Sequence, residues 1–176
     1  YDEISKANQA KVLSSFKSEK ISSTNFNPTT GYGYSDMGRE KLSALFARIF
    51  KGEKAIVSPH ILSGTHAIFL TLSSLLSKDE CLLSVCGKPY DTLATAIGIS
   101  SDVKNTLIDR GVVYKELELN KDKELDINGL EVFLKTKSPK IVYIQRSRGY
   151  DFRPSVDIST IKKAVKATRE LSPKSI

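Results

Sequence analysis

Apolar residues in this chain recur first at helical spacing and then in alternating helical and strand-like runs. Residues 3–20 carry a sparse apolar side, Ile4, Val12, Leu13 and Phe16, which predicts a helix. Residues 22–35, SSTNFNPTTGYGYS, show no apolar period. A loop of that length in a compact domain is usually functional or disordered, and two tyrosines between glycines argue against plain disorder. Asp36 can cap the next helix, whose stripe is Leu42, Leu45, Phe46, Ile49 and Phe50, and Gly52 ends it.

The segment from Ala55 to Leu76, AIVSPHILSGTHAIFLTLSSLL, organises the rest. Ala55-Ile56-Val57 is short and apolar, as a buried strand is. From His66 onward Ala67, Leu70, Leu75 and Leu76, with Ile68, Phe69 and Leu72 between them, predict a helix buried on most sides. Ser63-Gly64-Thr65 stands where one gives way to the other. The first N–H groups of a helix have no partner inside it, and its dipole favours anions at that end. A glycine there lets a phosphate approach the main chain with no Cβ in the way. The plainer alternative is that Ser63 or Thr65 only caps the helix.

Downstream the two periods alternate. Cys81–Val85 predicts a strand and Gly87–Asp91 a loop, and Asp91 can cap a short helix to about Gly98. Val112–Leu119 alternates as a strand, and Asp126 caps a helix carrying Ile127, Leu130, Phe133 and Leu134. Ser138-Pro139 breaks it, Ile141–Ile144 is the next buried strand, and Asp157 caps a last helix with Ile158, Ile161, Ala164 and Val165. This order predicts an α/β fold with a largely parallel sheet. Ligands bind such sheets at the carboxyl ends of the strands. The loops at Ser63, Gly87–Asp91 and Gln145–Phe152 are thereby expected at one edge.

Composition narrows the function. The 176 residues are 40% hydrophobic and 27% charged, ordinary for one globular domain with a substantial core. No run approaches a membrane span and the start is no signal peptide, so no membrane role is expected. The lack of an initiator Met suggests a trimmed N-terminus. Cys81 and Cys86, five apart, face opposite sides of a strand, which predicts neither a disulfide nor a metal pair and fits a reducing cytoplasmic compartment. The net charge of +7 raises the question of nucleic acid. Its lysines are scattered among acids, however, and Lys162, Lys163, Lys166 and Arg169 have no interleaved aromatics to stack on bases, so no nucleic-acid partner is expected.

Two nucleotide motifs fail. Gly33-YSDM-Gly38 has P-loop glycine spacing but is followed by Arg39-Glu40 and preceded by no strand. Gly31-Tyr32-Gly33 lacks the strand and third glycine of a dinucleotide fingerprint. Tyr90 begins the loop after the Cys81 strand, where a ring either stacks on a flat heterocycle or covers the sheet edge. Arg146 and Arg148 are candidates to hold a carboxylate or phenolic oxygen, with an ion pair to Asp151 as the alternative. His60 and His66 have no carboxylate or Cys spaced for a metal, so no metal site is expected.

GYGYSDMGRE, SGTHA, SVCGKPYDTL and YIQRSRGYDFRPS, in that order from about Asn25 to the end, resemble the aluminium-resistance or methionine gamma-lyase-related family of pyridoxal-phosphate enzymes. That family is of fold type I, allied to the enzymes of Cys/Met metabolism. The resemblance implies the N-terminal part of a large domain, a mostly parallel sheet flanked by helices. Residues 1–54 would be N-terminal helices and an intersubunit loop, and 55–176 an incomplete cofactor-binding domain.

It further implies that Ser63, Gly64 and Thr65 hold the phosphate of pyridoxal 5'-phosphate and that Tyr90 stacks on its ring. Tyr32 and Tyr34 would reach the phosphate of a neighbouring subunit in a homo-oligomer with shared sites. Relatives carry an Arg where Tyr34 falls, and Arg39 is the nearby cation. The expected activity is carbon–sulfur lysis of a sulfur amino acid such as cystathionine or methionine, by β- or γ-elimination. Such an enzyme also needs an Asp for the pyridine nitrogen and a Lys for the Schiff base, and no Lys here stands in a matching context; Lys88 falls in the wrong motif. The expectation is therefore a fragment of a lyase, inactive by itself, or a degenerate copy of one. The alternative is a non-catalytic α/β domain that binds a phosphate ligand or regulates.

Overall fold

The computed structural model describes residues 1–32, 36–99 and 102–176. The chain separates into two compact units, residues 1–62 and 63–176.

The first unit contains α1 (Asp2–Ser18), a 3-10 turn (Ser23–Phe26) and α2 (Met37–Phe50). Asp36 caps α2, accepting the Arg39 N–H at 3.1 Å. Glu19 holds α1 to α2 through Arg48 at 2.7 Å and Lys41 at 3.8 Å. The apolar side predicted for α1 is not its buried side. Ser15 is the buried residue, while Ile4 and Leu13 are about two-thirds exposed.

Ala55–Val57 is not a strand, and Ile56 is 83% exposed. A strand exists through the N–H and C=O groups of a neighbour. Three apolar residues between Gly52 and Pro59 supply composition but no ladder partner.

The second unit contains α3 (Gly64–Leu75), β1 (Cys81–Ser84), α4 (Asp91–Ile97), β2 (Val113–Glu116), α5 (Ile127–Thr136), β3 (Ile141–Tyr143) and α6 (Ile158–Leu171). The three strands form a parallel sheet in the order β2-β1-β3. Leu82 of β1 stands opposite Tyr114 on one side and Ile141 on the other. Successive residues of a strand face opposite ways, and both faces of β1 are apolar, as a parallel strand covered on both sides requires. Leu82 packs with Leu72, Leu93, Ile97 and Leu107, the face covered by α3 and α4. Leu83 packs with Leu125, Leu130, Leu134 and Ala164, the face covered by α5 and α6.

This arrangement decides where a ligand can enter. From central β1 the chain crosses to β2 by α4 on one face, then returns past β1 to β3 by α5 on the other. The crossovers diverge at the carboxyl ends of β1 and β3, and a crevice opens at such a switch point.

Candidate functional site

The loop leaving β1 is tied down before it reaches the crevice. Ser84 Oγ donates to the Gly87 carbonyl at 2.6 Å, and the Gly87 N–H donates to the Leu117 carbonyl at 3.1 Å. Tyr90, not Asp91, is the N-cap of α4: Asp91 is already its first residue and no side chain caps the helix, while the Tyr90 carbonyl accepts from the N–H groups of Leu93 and Ala94. Its own N–H donates across the switch point to Gln145 Oε1 at 3.1 Å. Its hydroxyl donates to Thr65 Oγ1 at 3.2 Å, beside the start of α3. Thr92 Oγ1 lies 3.1 Å from the same Thr65 oxygen.

At that start Ser63 is a true N-cap, its Oγ accepting the His66 N–H at 3.1 Å. The cap serves the third residue of the helix, while the N–H groups of Gly64 and Thr65 belong to the first turn and have no acceptor inside it. Capping and anion binding are therefore compatible here. A Cβ built on Gly64 meets nothing within 4 Å, so the approach to these N–H groups is open. Two backbone donors, the Thr65, Tyr90 and Thr92 hydroxyls and an open approach fit a phosphate group.

Tyr90, Lys88, Gln145, Arg148, Asp151 and Arg153 line a cavity of about 370 Å³ at the switch point. The side chains below it are neutral. Burial first, then neighbouring Tyr90 and Cys86, pushes the Tyr143 phenol up to about 12, so it stays protonated. Burial likewise raises the Cys86 thiol, which removes it as a nucleophile at neutral pH. Among the described residues no cluster of His, Cys, Asp and Glu is arranged for a metal, and both cysteines are free.

The methionine gamma-lyase family matches residues 1–176. The chain belongs to that family. It is 40% identical over 172 residues to the uncharacterized protein YnbB of Bacillus subtilis, 97% of this chain and 41% of that protein. A Clostridium acetobutylicum structure named as that of a candidate cystathionine beta-lyase involved in aluminum resistance superposes with a TM-score of 0.94 at 42% identity. It covers 100% of this chain and 42% of its own. The carbon-sulfur lyase involved in aluminum resistance of Clostridium novyi gives 0.92 at 39%, covering 99% and 42%. The chain thus spans about two-fifths of these relatives. The fold class expected from the sequence, α/β as in the pyridoxal-phosphate-dependent lyases, is the one found.

The structure brings some of the expected residues together and separates others. Gly64 and Thr65 meet Tyr90 through the Thr65 hydroxyl, and Arg148 joins Tyr90 in lining the cavity. Arg146 does not line it; its carbonyl accepts from Val156. Asp151 pairs with Arg153 at 3.6 Å. Arg39 Nε lies 3.3 Å from its own cap residue Asp36, and Tyr32 is 83% exposed, both within the 1–62 unit. Tyr34 lies outside the described residues. Thr92, Gln145 and Arg153 carry site contacts that sequence reasoning missed. Gln145 was legible as the second residue after β3 at a switch point, whereas nothing in a loop that also holds Arg146 and Arg148 singles out Arg153 as the buried one.

No helix among the described residues is long and apolar enough to cross a membrane.

Proposed function

We propose that these residues form the pyridoxal-5'-phosphate-binding part of a carbon–sulfur lyase acting on a small sulfur amino acid of the cystathionine or methionine type. The observation that carries the reading is the Tyr90 hydroxyl on Thr65 at 3.2 Å, which sets an aromatic ring beside an open helix N-terminus in a family of lyases. The names of the relatives support the reaction class, and the open helix N-terminus beside Tyr90 supports a phosphate-bearing cofactor.

When bound, pyridoxal phosphate supplies an electron sink for bond breaking next to an amino acid's α-carbon. The residues here bind and orient. The N–H groups of Gly64 and Thr65, with the Thr65 hydroxyl, would take the phosphate. Tyr90 would cover the flat ring, and Lys88 and Arg148 at the cavity would attract the carboxylate of the amino acid. This reading assigns these residues binding and orientation.

Gly64→Val tests the cradle. Because nothing stands within 4 Å of the added Cβ, the variant is expected to fold normally while a branched side chain obstructs the approach to the N–H groups. In the full-length protein, cofactor content after dialysis, read as yellow absorbance bleached by borohydride, should fall sharply. Unchanged content would refute the assignment.

A further inference from the structure

The site needs the Tyr90 ring to stand still, and one deeply buried side chain has no part in the reading above. Arg153 is 4% exposed. One of its terminal nitrogens donates to the carbonyls of Gln145 at 3.1 Å and Ser147 at 2.7 Å, and the other to the carbonyl of Pro154 at 3.1 Å. Its Nε lies 3.6 Å from Asp151, whose side chain is 61% exposed. Desolvating a guanidinium is costly, and a carboxylate mostly in water returns little of that cost. Charge pairing does not account for the residue.

The carbonyls do. β3 ends at Tyr143, and the chain then turns across the switch point with no strand or helix to serve its carbonyl groups. A planar fork can donate to three of them at once, where an ammonium presents all its donors at one point.

Gln145 carries the consequence to the site. Its Nε2 donates to the same Ser147 carbonyl at 3.0 Å, and its Oε1 accepts the Tyr90 N–H at 3.1 Å. Arg153 thus holds both the backbone of Gln145 and the carbonyl that orients its side-chain amide. We propose that Arg153 is a positioning residue: through Gln145 it fixes the Tyr90 backbone at the start of α4, and with it the ring beside the α3 N-terminus. Only the cofactor arm of the test rests on the proposed function, since the fixing of Tyr90 is a property of the protein alone.

The test uses Arg153→Lys and Gln145→Met in the full chain. Three measurements are made: hydrogen exchange at the Tyr90 amide, tryptic cleavage after Arg146 and Arg148, and affinity for pyridoxal phosphate by absorbance titration. Arg153→Lys should speed Tyr90 exchange roughly tenfold or more, since a charge-assisted bonding set is lost. It should also speed cleavage of the loop and weaken the cofactor, while the Leu83 amide in β1 keeps its protection. Gln145→Met should speed Tyr90 exchange as much but open the loop less, because the Arg153 bonds to backbone carbonyls remain. Unchanged Tyr90 exchange in both variants would overturn the proposal. So would equal acceleration at Tyr90 and Leu83, which would make Arg153 a support of the whole fold. If the unaltered protein binds no pyridoxal phosphate, the functional reading fails, and exchange and proteolysis still decide the role of Arg153.

Discussion

Tyr90 is fixed at three atoms: its N–H by Gln145, its carbonyl by the first turn of α4, and its hydroxyl by Thr65. The ring is held between backbone and hydroxyl, and these contributions separate by substitution. Tyr90→Phe keeps the ring face and gives up one hydrogen bond, which should weaken cofactor binding by about 1 kcal/mol or less. Tyr90→Ala removes the face as well and should cost about 2 kcal/mol. Titration of both variants measures the difference; equal losses would show that the hydroxyl alone matters and that no ring stacks there.

The ends of the helices set where the site's loops begin. α4 closes on Gly98 at φ 101°, a left-handed conformation, and a Cβ there would run into the Thr106 side chain. Gly98→Ala should therefore destabilise by about 2 kcal/mol or more, seen as a lower urea midpoint with an unchanged slope. α6 begins at Asp157, whose carboxylate accepts from Ser159 and Thr160; the side-chain bonds first, and the backbone N–H groups with them, hold its pKa well below the usual carboxylate range. A carboxyl depressed in the folded state contributes stability above its unfolded pKa of about 4 and loses it as pH falls toward the folded value. Asp157→Asn can still cap but does not titrate. Its melting temperature should fall less steeply than the wild type's below about pH 4, and the two curves should converge in acid. Parallel curves would show that the Asp157 charge is not linked to folding.

At the scale of the molecule, the 1–62 unit leaves much apolar surface uncovered. Phe26, Tyr32, Phe50, Ile56 and Leu62 are each more than 70% exposed, against Leu45 and Ala47 as its buried apolar residues. Surface of that kind marks an interface. With Tyr32 exposed in this unit and Tyr34 two positions on in the sequence, our proposal is that the partner is a second copy whose phosphate site the tyrosines complete. In the complete protein, mixing a Tyr34→Ala variant with a Tyr90→Ala variant, each impaired alone, should then restore part of the activity after subunit exchange, because one site per mixed dimer keeps both tyrosines. No recovery would place each site within a single chain.

The sequence by itself determined most of the local structure of the second unit and the family. β1 and α3 through α6 follow from apolar period and from caps at Ser63, Asp126 and Asp157, all set within a few residues. The four ordered motifs carried the family. Only the tertiary structure decided what needed a neighbour. Ala55–Val57 is as apolar as a strand but has no ladder partner, and the apolar side of α1 is not its buried one. Arg148 rather than Arg146 lines the cavity, because two residues' difference along a turning loop changes where a side chain stands. Gln145 and Arg153 enter the site through hydrogen bonds, Gln145 to Tyr90 across 55 positions and Arg153 to carbonyls up to eight positions away. Periodicity records which face of an element is apolar; it carries no information on which distant carbonyl a buried guanidinium will serve.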